Sequence, residues 1–454
     1  MSSLRDEGPD GSHGGEFLCE ARRGRTSEMC VERSGASSPP AAGDGSRSPA
    51  TFSPTAVERF LGRRLLDRVR DPKLAIVLGD EAIESDGSSP AYSLRIVDRT
   101  TLWSFLRDPE YWLFEGYARG TIEIDGALIE LLAALKQRFS LKLPEKPTLK
   151  ETVQARLRRW RSRRRWRSEN VAHHYDLGND FYGLWLDRQL LYTCAYFESD
   201  GVSLEEAQVA KMDHVCRKLR LRPGERVIEA GCGWGALALH MARSYGVHVR
   251  AFNLSREQLA YGRERARQEN LASQVEFVEA DWSEVDGRCD AFVSVGMLEH
   301  VGPENFSALG RVICGVLVPT GRGLIHTIGQ NTPEPLSRWI ERRIFPGAQP
   351  PTLQQMMNLF EPHNLAVYDV ENLRPHYAET LAHWLARFET VAGTVGRTFG
   401  EQFVRMWRIY LAASHCAFRV GSLQLYQVLF APIGSETLPL TRRDLYAEAA
   451  SPIH

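Results

Sequence analysis

Residues Arg226 to Gly235 read Arg-Val-Ile-Glu-Ala-Gly-Cys-Gly-Trp-Gly. Val227 and Ile228 are the apolar part of a short strand, Gly231, Gly233 and Gly235 make a tight turn, and a helical pattern starts at Ala236 with Leu237, Leu239, His240 and Met241. Strand, glycine turn and helix start together suit a nucleotide-like cofactor. Glycine adopts positive φ and lets a ligand approach with no Cβ in the way. The start of a helix adds free N–H groups. The spacing is G-x-G-x-G, not the G-x-G-x-x-G of dinucleotide-binding turns. Glu229 stands two residues before the first glycine, where a carboxylate can hold a cationic group. The same letters also fit an ordinary glycine-rich turn of another α/β protein.

Working outward, further strands are predicted at Val247 to Phe252, Val275 to Ala280, Ala291 to Val295 and Gly323 to Thr327. Helical patterns lie between them. Strands alternating with helices give a mainly parallel, doubly wound sheet. Ligands of such sheets sit outside the carboxyl ends of the strands. Gly231, Asn253, Asp281, Gly296 and His326 all fall at or just after such ends. Before this unit, residues 51–145 read as a small α+β domain. It has helices near Val57 to Leu66, Leu102 to Leu106, Pro109 to Ala118 and Ala127 to Phe139, with strands near Lys73 to Gly79, Tyr92 to Val97 and Gly120 to Ile124. No catalytic cluster is visible in it. Residues 1–50 are rich in Gly, Ser, Pro and Arg and are expected to be disordered, because they offer too little apolar surface to offset the entropy of ordering. Residues 146–169 read as a basic linker, 170–435 as the catalytic domain and 436–454 as a tail.

The formal charge of −1 over 454 residues argues against nucleic acid as a partner by bulk charge. No run approaches the roughly 20 apolar residues of a membrane span. The N-terminus lacks the apolar core of a signal peptide. The eight cysteines include no C-x-x-C pair and no zinc-like Cys/His spacing, so neither a disulfide framework nor a metal is expected, and a reducing cytoplasm fits. The sharpest charge anomaly lies between Thr152 and Arg167, where Arg156, Arg158, Arg159, Arg161, Arg163, Arg164, Arg165 and Arg167 surround Trp160 and Trp166. Such a run fits a solvated linker, a surface facing anionic phospholipid, or nucleic acid. The catalytic region favours the lipid surface.

That region carries His174-Tyr-Asp-Leu-Gly-Asn-Asp180, Tyr192-Thr-Cys-Ala-Tyr-Phe197, Glu229-Ala-Gly-Cys-Gly-Trp-Gly235, Ser294-Val-Gly-Met-Leu-Glu-His-Val-Gly302 and His326-Thr-Ile-Gly329, then Tyr377, Leu381, Trp384 and Ala417-Phe-Arg419. In this order and spacing they resemble the cyclopropane-fatty-acyl-phospholipid synthases and the related mycolic acid cyclopropane synthases. Both belong to the class I S-adenosylmethionine methyltransferases. The resemblance runs over about residues 55 to 432. It implies transfer of a methylene group from S-adenosylmethionine to a cis double bond of a phospholipid acyl chain, or, within the family, a methyl-branched or methylene product. A small-molecule or protein methyltransferase and a non-catalytic lipid-binding protein are the readings from other classes.

The resemblance assigns the cofactor to Tyr192, Thr193, Glu229, Gly231, Cys232, Gly233, Gly235, Asn253, Gln258, Asp281 and Trp282. The strand end that commonly carries an acidic residue for the ribose here carries Asn253, as in the cyclopropane family. The proton acceptor implied is a bound bicarbonate held by Glu299, His326 and Tyr377, with backbone groups of Cys194 and Ile328. A carboxylate, an imidazole and a phenol can orient a small oxyanion. Two nearby negative charges are costly, so Glu299 and the anion would share a proton. Tyr192, Tyr196, Phe197, Tyr377 and Trp384 are candidates to face the carbocation, since aromatic rings attract cations. Where the family often has a cysteine, Ser414 stands, with Cys416 two residues later; the chemistry needs neither. Trp339, Ile340, Ile344 and Phe345 are expected to cover the site. The resemblance further implies a homodimer on the cytoplasmic face of a membrane.

Overall fold

The computed structural model describes residues 52–84, 90–140 and 177–446. Residues 1–50, the Arg/Trp run and the His174–Asp176 motif lie outside them. A seven-stranded sheet has the order β10-β11-β9-β8-β5-β6-β7. Its strands are β5 (Arg226–Ala230), β6 (His248–Asn253), β7 (Val275–Glu279), β8 (Cys289–Val295), β9 (Leu317–Gly329), β10 (Leu365–Asn372) and β11 (Gln424–Pro432). The five strands β5 to β9 are mutually parallel, and β11 runs antiparallel between β9 and β10. The expected mainly parallel, Rossmann-like sheet is therefore present. The last two strands, β10 and β11, were not expected from the sequence.

The parallel core explains the composition of β5 and β8. Both faces are covered, so Val227, Ile228, Ala291, Phe292 and Val293 are all buried. Helices α6 (Leu204–Leu219), α7 (Ala236–Tyr245) and α8 (Arg256–Gln268) belong to this layer. Gly235 is there for packing: its φ is 83°, and an added Cβ would lie 2.5 Å from the Phe277 ring. All the parallel strands end on the same edge, and the turns after β5, β6, β7 and β8 meet there.

The N-terminal unit is a second sheet, β2-β1-β3-β4, made of β1 (Leu74–Leu78), β2 (Glu81–Ile83), β3 (Tyr92–Ile96) and β4 (Ile122–Gly126). Its helices are α1 (Ala56–Val69), α2 (Arg99–Arg107), α3 (Pro109–Arg119) and α4 (Leu128–Ser140). The expected elements are all present, with β4 two residues later than predicted. A capping box at Thr55 and Glu58 fixes the start of α1.

The two sheets are joined through the hairpin of α13 (Arg374–Phe399) and α14 (Glu401–Arg419); α5 (Asn179–Gly183), α9 (Leu298–Val301), α10 (Phe306–Val316), α11 (Arg338–Arg343) and α12 (Leu353–Phe360) complete the helices. One hydrophobic cluster runs from Leu66, Ile96 and Leu131 through Trp407 and Tyr410 to Trp185, Trp384 and Tyr377. Arg405 donates to the carbonyls of Tyr117 (2.6 Å) and Ile122 (3.0 Å) and lies over the Tyr117 ring. Cys416 Sγ donates to Ile129 O at 3.1 Å, so this cysteine packs α14 against the N-terminal unit.

Glu115 is fully buried on α3 and accepts from Trp339 Nε1 (3.0 Å) and from Arg343 and Arg119. Trp339 was expected to help cover the site. It instead serves this junction, because a buried indole N–H needs an acceptor and Glu115 supplies it. Phe345 does reach toward the site, with its ring 5.8 Å from Tyr410 and 6.2 Å from His300. Glu115→Ala should cost about 2 kcal/mol, since it strands a buried indole N–H and leaves Arg343 without its carboxylate. Urea unfolding measures this, and an unchanged midpoint would show that the junction does not depend on Glu115.

Candidate active site

The turn after β5 is shaped by two of its glycines for different reasons. Gly231 has φ 85° and its missing Cβ would press Met297 at 2.9 Å, tying this turn to the loop after β8. Gly233 has φ 53° and faces open space, with nothing within 4 Å of an added Cβ. The backbone of the turn is therefore open to approach at this glycine. The amides of Gly231 and Cys232 both donate to Phe252 O, at 2.9 and 3.0 Å, which joins the turn to β6. Asn253, at the end of β6, donates from Nδ2 to Gly233 O (3.2 Å) and to Gln258 Oε1 (2.8 Å). Gln258 Nε2 is buried and has no protein partner. Asp281 caps its own turn by accepting from Ser283 N (3.0 Å) and Oγ (2.6 Å), and the half-buried Trp282 packs beside it on the sheet cluster. Ala280 N donates to Asn253 O, so the β6 and β7 ends are adjacent.

Glu229 lies beneath this turn, 2% exposed. Burial pushes its carboxyl up to about 8, against the opposing pull of Lys211 and the Ala238 amide. Its Oε2 has no hydrogen-bond partner. The donor Gln258 Nε2 and the acceptor Glu229 Oε2 are buried polar atoms left unmet by the protein, and Gly233 leaves room beside them. This set fits a cofactor with hydroxyls and a cationic end.

The second half of the site adjoins the first. Gly296 has φ 73°, and its missing Cβ would stand 3.1 Å from Thr193. Gly296 N donates to His326 O (2.9 Å). Glu299 accepts from Ile328 N at 2.5 Å, and its Oε2 is buried without a partner. Burial pushes Glu299 up to about 7. His326 Nδ1 lies 3.1 Å from Gln427 Nε2; with that amide donating, the imidazole proton sits on Nε2, which is buried and unpartnered. Burial, then the positive field of Lys211 and Lys218, holds the His326 imidazole well below its usual range, so it is neutral. The Ile328 amide, expected beside a bound anion, donates to the Glu299 carboxyl.

Cys194 is fully buried, its thiol donates to Ala195 O, and burial raises it far above the usual thiol range. Ala195 N donates to Thr380 Oγ1 (3.0 Å), which ties this turn to α13 one helical turn beyond Tyr377. Tyr192, Trp384 and Tyr377 form one aromatic wall: ring centroids are 5.2 Å apart for Tyr192 and Trp384, and 6.0 Å for Trp384 and Tyr377. Tyr410 holds the Tyr192 hydroxyl at 2.7 Å. Tyr196 and Phe197 do not join this wall. Tyr196 stacks between His214 (4.3 Å) and His376 (4.7 Å), and Phe197 stacks on His383 (5.4 Å). Their backbones continue past the buried Ala195 toward α13, which turns both rings to a separate stack.

Sequence reasoning missed Lys211, Gln208, Asp187, Tyr410 and Gln427. Two left a trace. Lys211 interrupts the apolar stripe of α6 between Leu204, Ala207 and Val215, and Gln427 interrupts the otherwise apolar run of β11. A polar residue in a buried stripe marks either a buried partner or a site.

Comparison with known proteins agrees with this geometry. The model of the mycolic acid cyclopropane synthetase family matches residues 162–428. The chain is 36% identical over 359 residues to the cyclopropane-fatty-acyl-phospholipid synthase of Escherichia coli K12, covering 78% of this chain and 91% of that protein. It is 34% identical over 371 residues to a probable fatty acid methyltransferase of Pseudomonas putida, covering 79% and 93%. Among solved structures, the cyclopropane synthase MmaA2 of Mycobacterium tuberculosis aligns with a TM-score of 0.56 at 32% identity, covering 58% of this chain and 97% of that one. The mycolic acid cyclopropane synthase CmaA1, solved with S-adenosylhomocysteine and a detergent, aligns at 0.55 and 32%, covering 57% and 96%. The chain belongs to the mycolic acid cyclopropane synthetase family and is an S-adenosylmethionine-dependent methyltransferase of the cyclopropane-synthase type.

Proposed function

We propose that this enzyme converts a cis double bond in a phospholipid acyl chain to a cyclopropane ring, with bicarbonate bound at Glu299 and His326 as the proton acceptor. The observation that carries this reading is the pair of unpartnered buried atoms Glu299 Oε2, on α9 just after β8, and His326 Nε2, on β9 opposite the last residue of β8, together with the Tyr192–Trp384–Tyr377 wall. S-adenosylmethionine held at the turn after β5 would supply an electrophilic methyl group for the alkene, and an oxyanion held by Glu299 and His326 would supply the base for the proton lost on ring closure. Glu229, Gln258, Asn253 and Asp281 would hold the cofactor. The Nε2–H of His326 would donate to the oxyanion, and Gln427 keeps that proton on Nε2. Glu299, raised by burial, would share a proton with the anion and thereby release the Ile328 amide to it. The aromatic wall would exclude water and present ring faces to developing positive charge.

A second reading has its own support. The relative named a probable fatty acid methyltransferase is as close in sequence as the synthases are. In this reading the same site yields a methyl-branched or methylene chain, and only the fate of the cation differs. The Arg/Trp run from Arg156 to Arg167 is proposed to bring either enzyme to anionic phospholipid on the cytoplasmic face of a membrane, as a peripheral protein. Among the described residues no helix is long and apolar enough to cross one. A homodimer rests on the family resemblance.

Incubation with S-adenosylmethionine and vesicles of a monounsaturated phospholipid should give a fatty methyl ester heavier by one CH₂, with no double bond and the retention of a ring standard. A methylene or methyl-branched ester moves the function to the second reading. Glu299→Gln should retain S-adenosylhomocysteine binding and lose turnover by about 10²-fold or more; full activity would remove the anion site. The same variant has a signature in stability. A buried carboxyl raised to about 7 keeps its proton in the folded state. Its contribution is therefore complete below the ordinary carboxylate range and is lost as pH rises through about 7. The melting temperature of Glu299→Gln relative to the parent should climb from pH 5 to pH 8. Reversing charges in the Arg156 to Arg167 run should abolish sedimentation with anionic vesicles and leave cofactor affinity unchanged.

A further inference from the structure

Two groups that the resemblance assigns to the anion, the Cys194 backbone and Tyr377, sit on separate elements, and their separation must be held by something. The strap that follows Cys194 is fastened to the start of α13 at two points. Ala195 N donates to Thr380 Oγ1 (3.0 Å), and that hydroxyl donates in turn to His376 O (2.7 Å). Phe197 N donates to His376 Nδ1 at 3.1 Å. Between these points Tyr196 N donates to Ala207 O of α6 (2.9 Å). The Tyr196 ring lies between the imidazoles of His376 and His214, with centroids 4.7 and 4.3 Å away and planes tilted by 22° and 12°. His376 is thus where the strap meets the helix, and the next residue in the chain is Tyr377.

The partner fixes the state of this imidazole. A main-chain N–H can only donate, so Nδ1 of His376 carries no proton and the neutral ring keeps its hydrogen on Nε2. Burial holds His376 below the ordinary imidazole range, which acts in the same direction. His214, on the far face of Tyr196, is anchored elsewhere. Its Nε2 lies 2.8 Å from Glu371 Oε2, and Glu371 also pairs with Lys218 at 2.5 Å. The stack therefore has one imidazole tied to the sheet edge and one tied to the strap. The cofactor turn just before the strap is held by other contacts. On α6, Gln208 Nε2 donates to the carbonyls of Thr193 (2.9 Å) and Leu191 (3.3 Å), and Lys211 Nζ donates to Thr193 Oγ1 (2.8 Å). Asp187 accepts from the amides of Gln189 (2.9 Å) and Leu191 (2.8 Å). A change at His376 leaves all of these bonds in place.

Resting on the reading that Tyr377 and the Cys194 backbone help to hold an oxyanion, we propose that His376 is a positioning residue: as an uncharged acceptor for the Phe197 amide, it holds the strap from Cys194 to Phe197 at a fixed distance from Tyr377 and so sets the width of the anion site. The contact that matters is the amide bond and not the stacked ring. An anion clasped from two elements is sensitive to their spacing, and misplacement by about 1 Å can cost on the order of 10²-fold in rate. Loss of the acceptor should therefore weaken the hold on the anion and slow turnover, while the cofactor binds as before.

The test compares the full-length parent with His376→Phe, His376→Asn and Tyr196→Leu. Phenylalanine keeps a ring against Tyr196 and offers the amide no acceptor. Asparagine gives up the ring and returns an acceptor oxygen at about the position of Nδ1. Leucine at 196 removes the stack and leaves the amide bond. Each protein is titrated calorimetrically with S-adenosylhomocysteine, and product esters from monounsaturated phospholipid vesicles are measured against added bicarbonate in buffer freed of carbon dioxide. For His376→Phe the half-saturating bicarbonate concentration should rise about tenfold or more, with S-adenosylhomocysteine affinity within about twofold of the parent. His376→Asn and Tyr196→Leu should both stay within about threefold of the parent in bicarbonate response. A parent-like response in His376→Phe, an equal defect in His376→Asn, or a parallel loss of S-adenosylhomocysteine affinity would overturn the proposal. If His376→Phe does not fold, the other two variants decide: near-parent responses support the amide bond as the operative contact, and a rise of about tenfold in either overturns it. If the parent itself does not respond to bicarbonate, the anion reading fails and the proposal falls with it. If the parent responds and His376→Phe matches it, only the role of His376 fails.

Discussion

A carboxylate withdrawn from water is the constraint from which the rest of the site follows. Glu229, near the end of β5, and Glu299, on α9 just beyond the adjoining β8, are each raised by burial and each have one oxygen that the protein leaves unmet. Charged groups are excluded from such surroundings unless something compensates them. Here the protein's own compensation is limited to the field of a lysine on α6 and the amides of Ala238 and Ile328. One oxygen of each carboxyl is left open to a ligand. That is the physical sense in which a strand-end edge becomes a site and not merely the rim of a sheet.

The aromatic side of the site has the opposite character. Tyr192, Trp384, Tyr377, Trp185 and Trp407 are mutually packed. Their cluster continues without a break into the core of the N-terminal unit. Such a wall is stiff because interior packing is dense and displacement of one ring displaces its neighbours. Rigid apolar surface on one side and unmet polar atoms on the other is the combination needed to hold a flexible acyl chain beside a reactive cation while keeping water away.

Much of this was legible in the letters, and the failures have physical reasons. The glycine spacing after β5 and the alternation of strands with helices placed Gly231, Asn253, Asp281, Gly296 and His326 on one edge, because a parallel sheet leaves no other geometry. Strand β11 was not read, since Leu425–Ala431 is an apolar run broken only at Gln427, and its periodicity does not separate strand from helix. Strand β10 was hidden by a register shift between Val367 and Asp369, which breaks its alternation. Lys211 and Gln427 looked like interruptions of apolar stripes. Their meaning depends on residues 18 and 101 positions away, Thr193 and His326, which no local pattern supplies. Trp339 was assigned to the wrong neighbour for the same reason: its partner Glu115 lies 224 residues earlier.

The seam along α14 reaches beyond stability. Arg405 is satisfied by two carbonyls of the N-terminal unit, Cys416 by a third, and Arg419 by Glu130. The family model begins only at residue 162, and the cyclopropane mycolic acid synthase 1 of Mycobacterium tuberculosis is matched over 95% of its length by 57% of this chain. In this chain the two units cannot vary independently along that seam: the Tyr117 ring under Arg405 and the Glu130 carboxylate on Arg419 tie the outer face of α14 to the N-terminal unit, so transplanting the catalytic part alone would leave those two guanidinium groups without their partners.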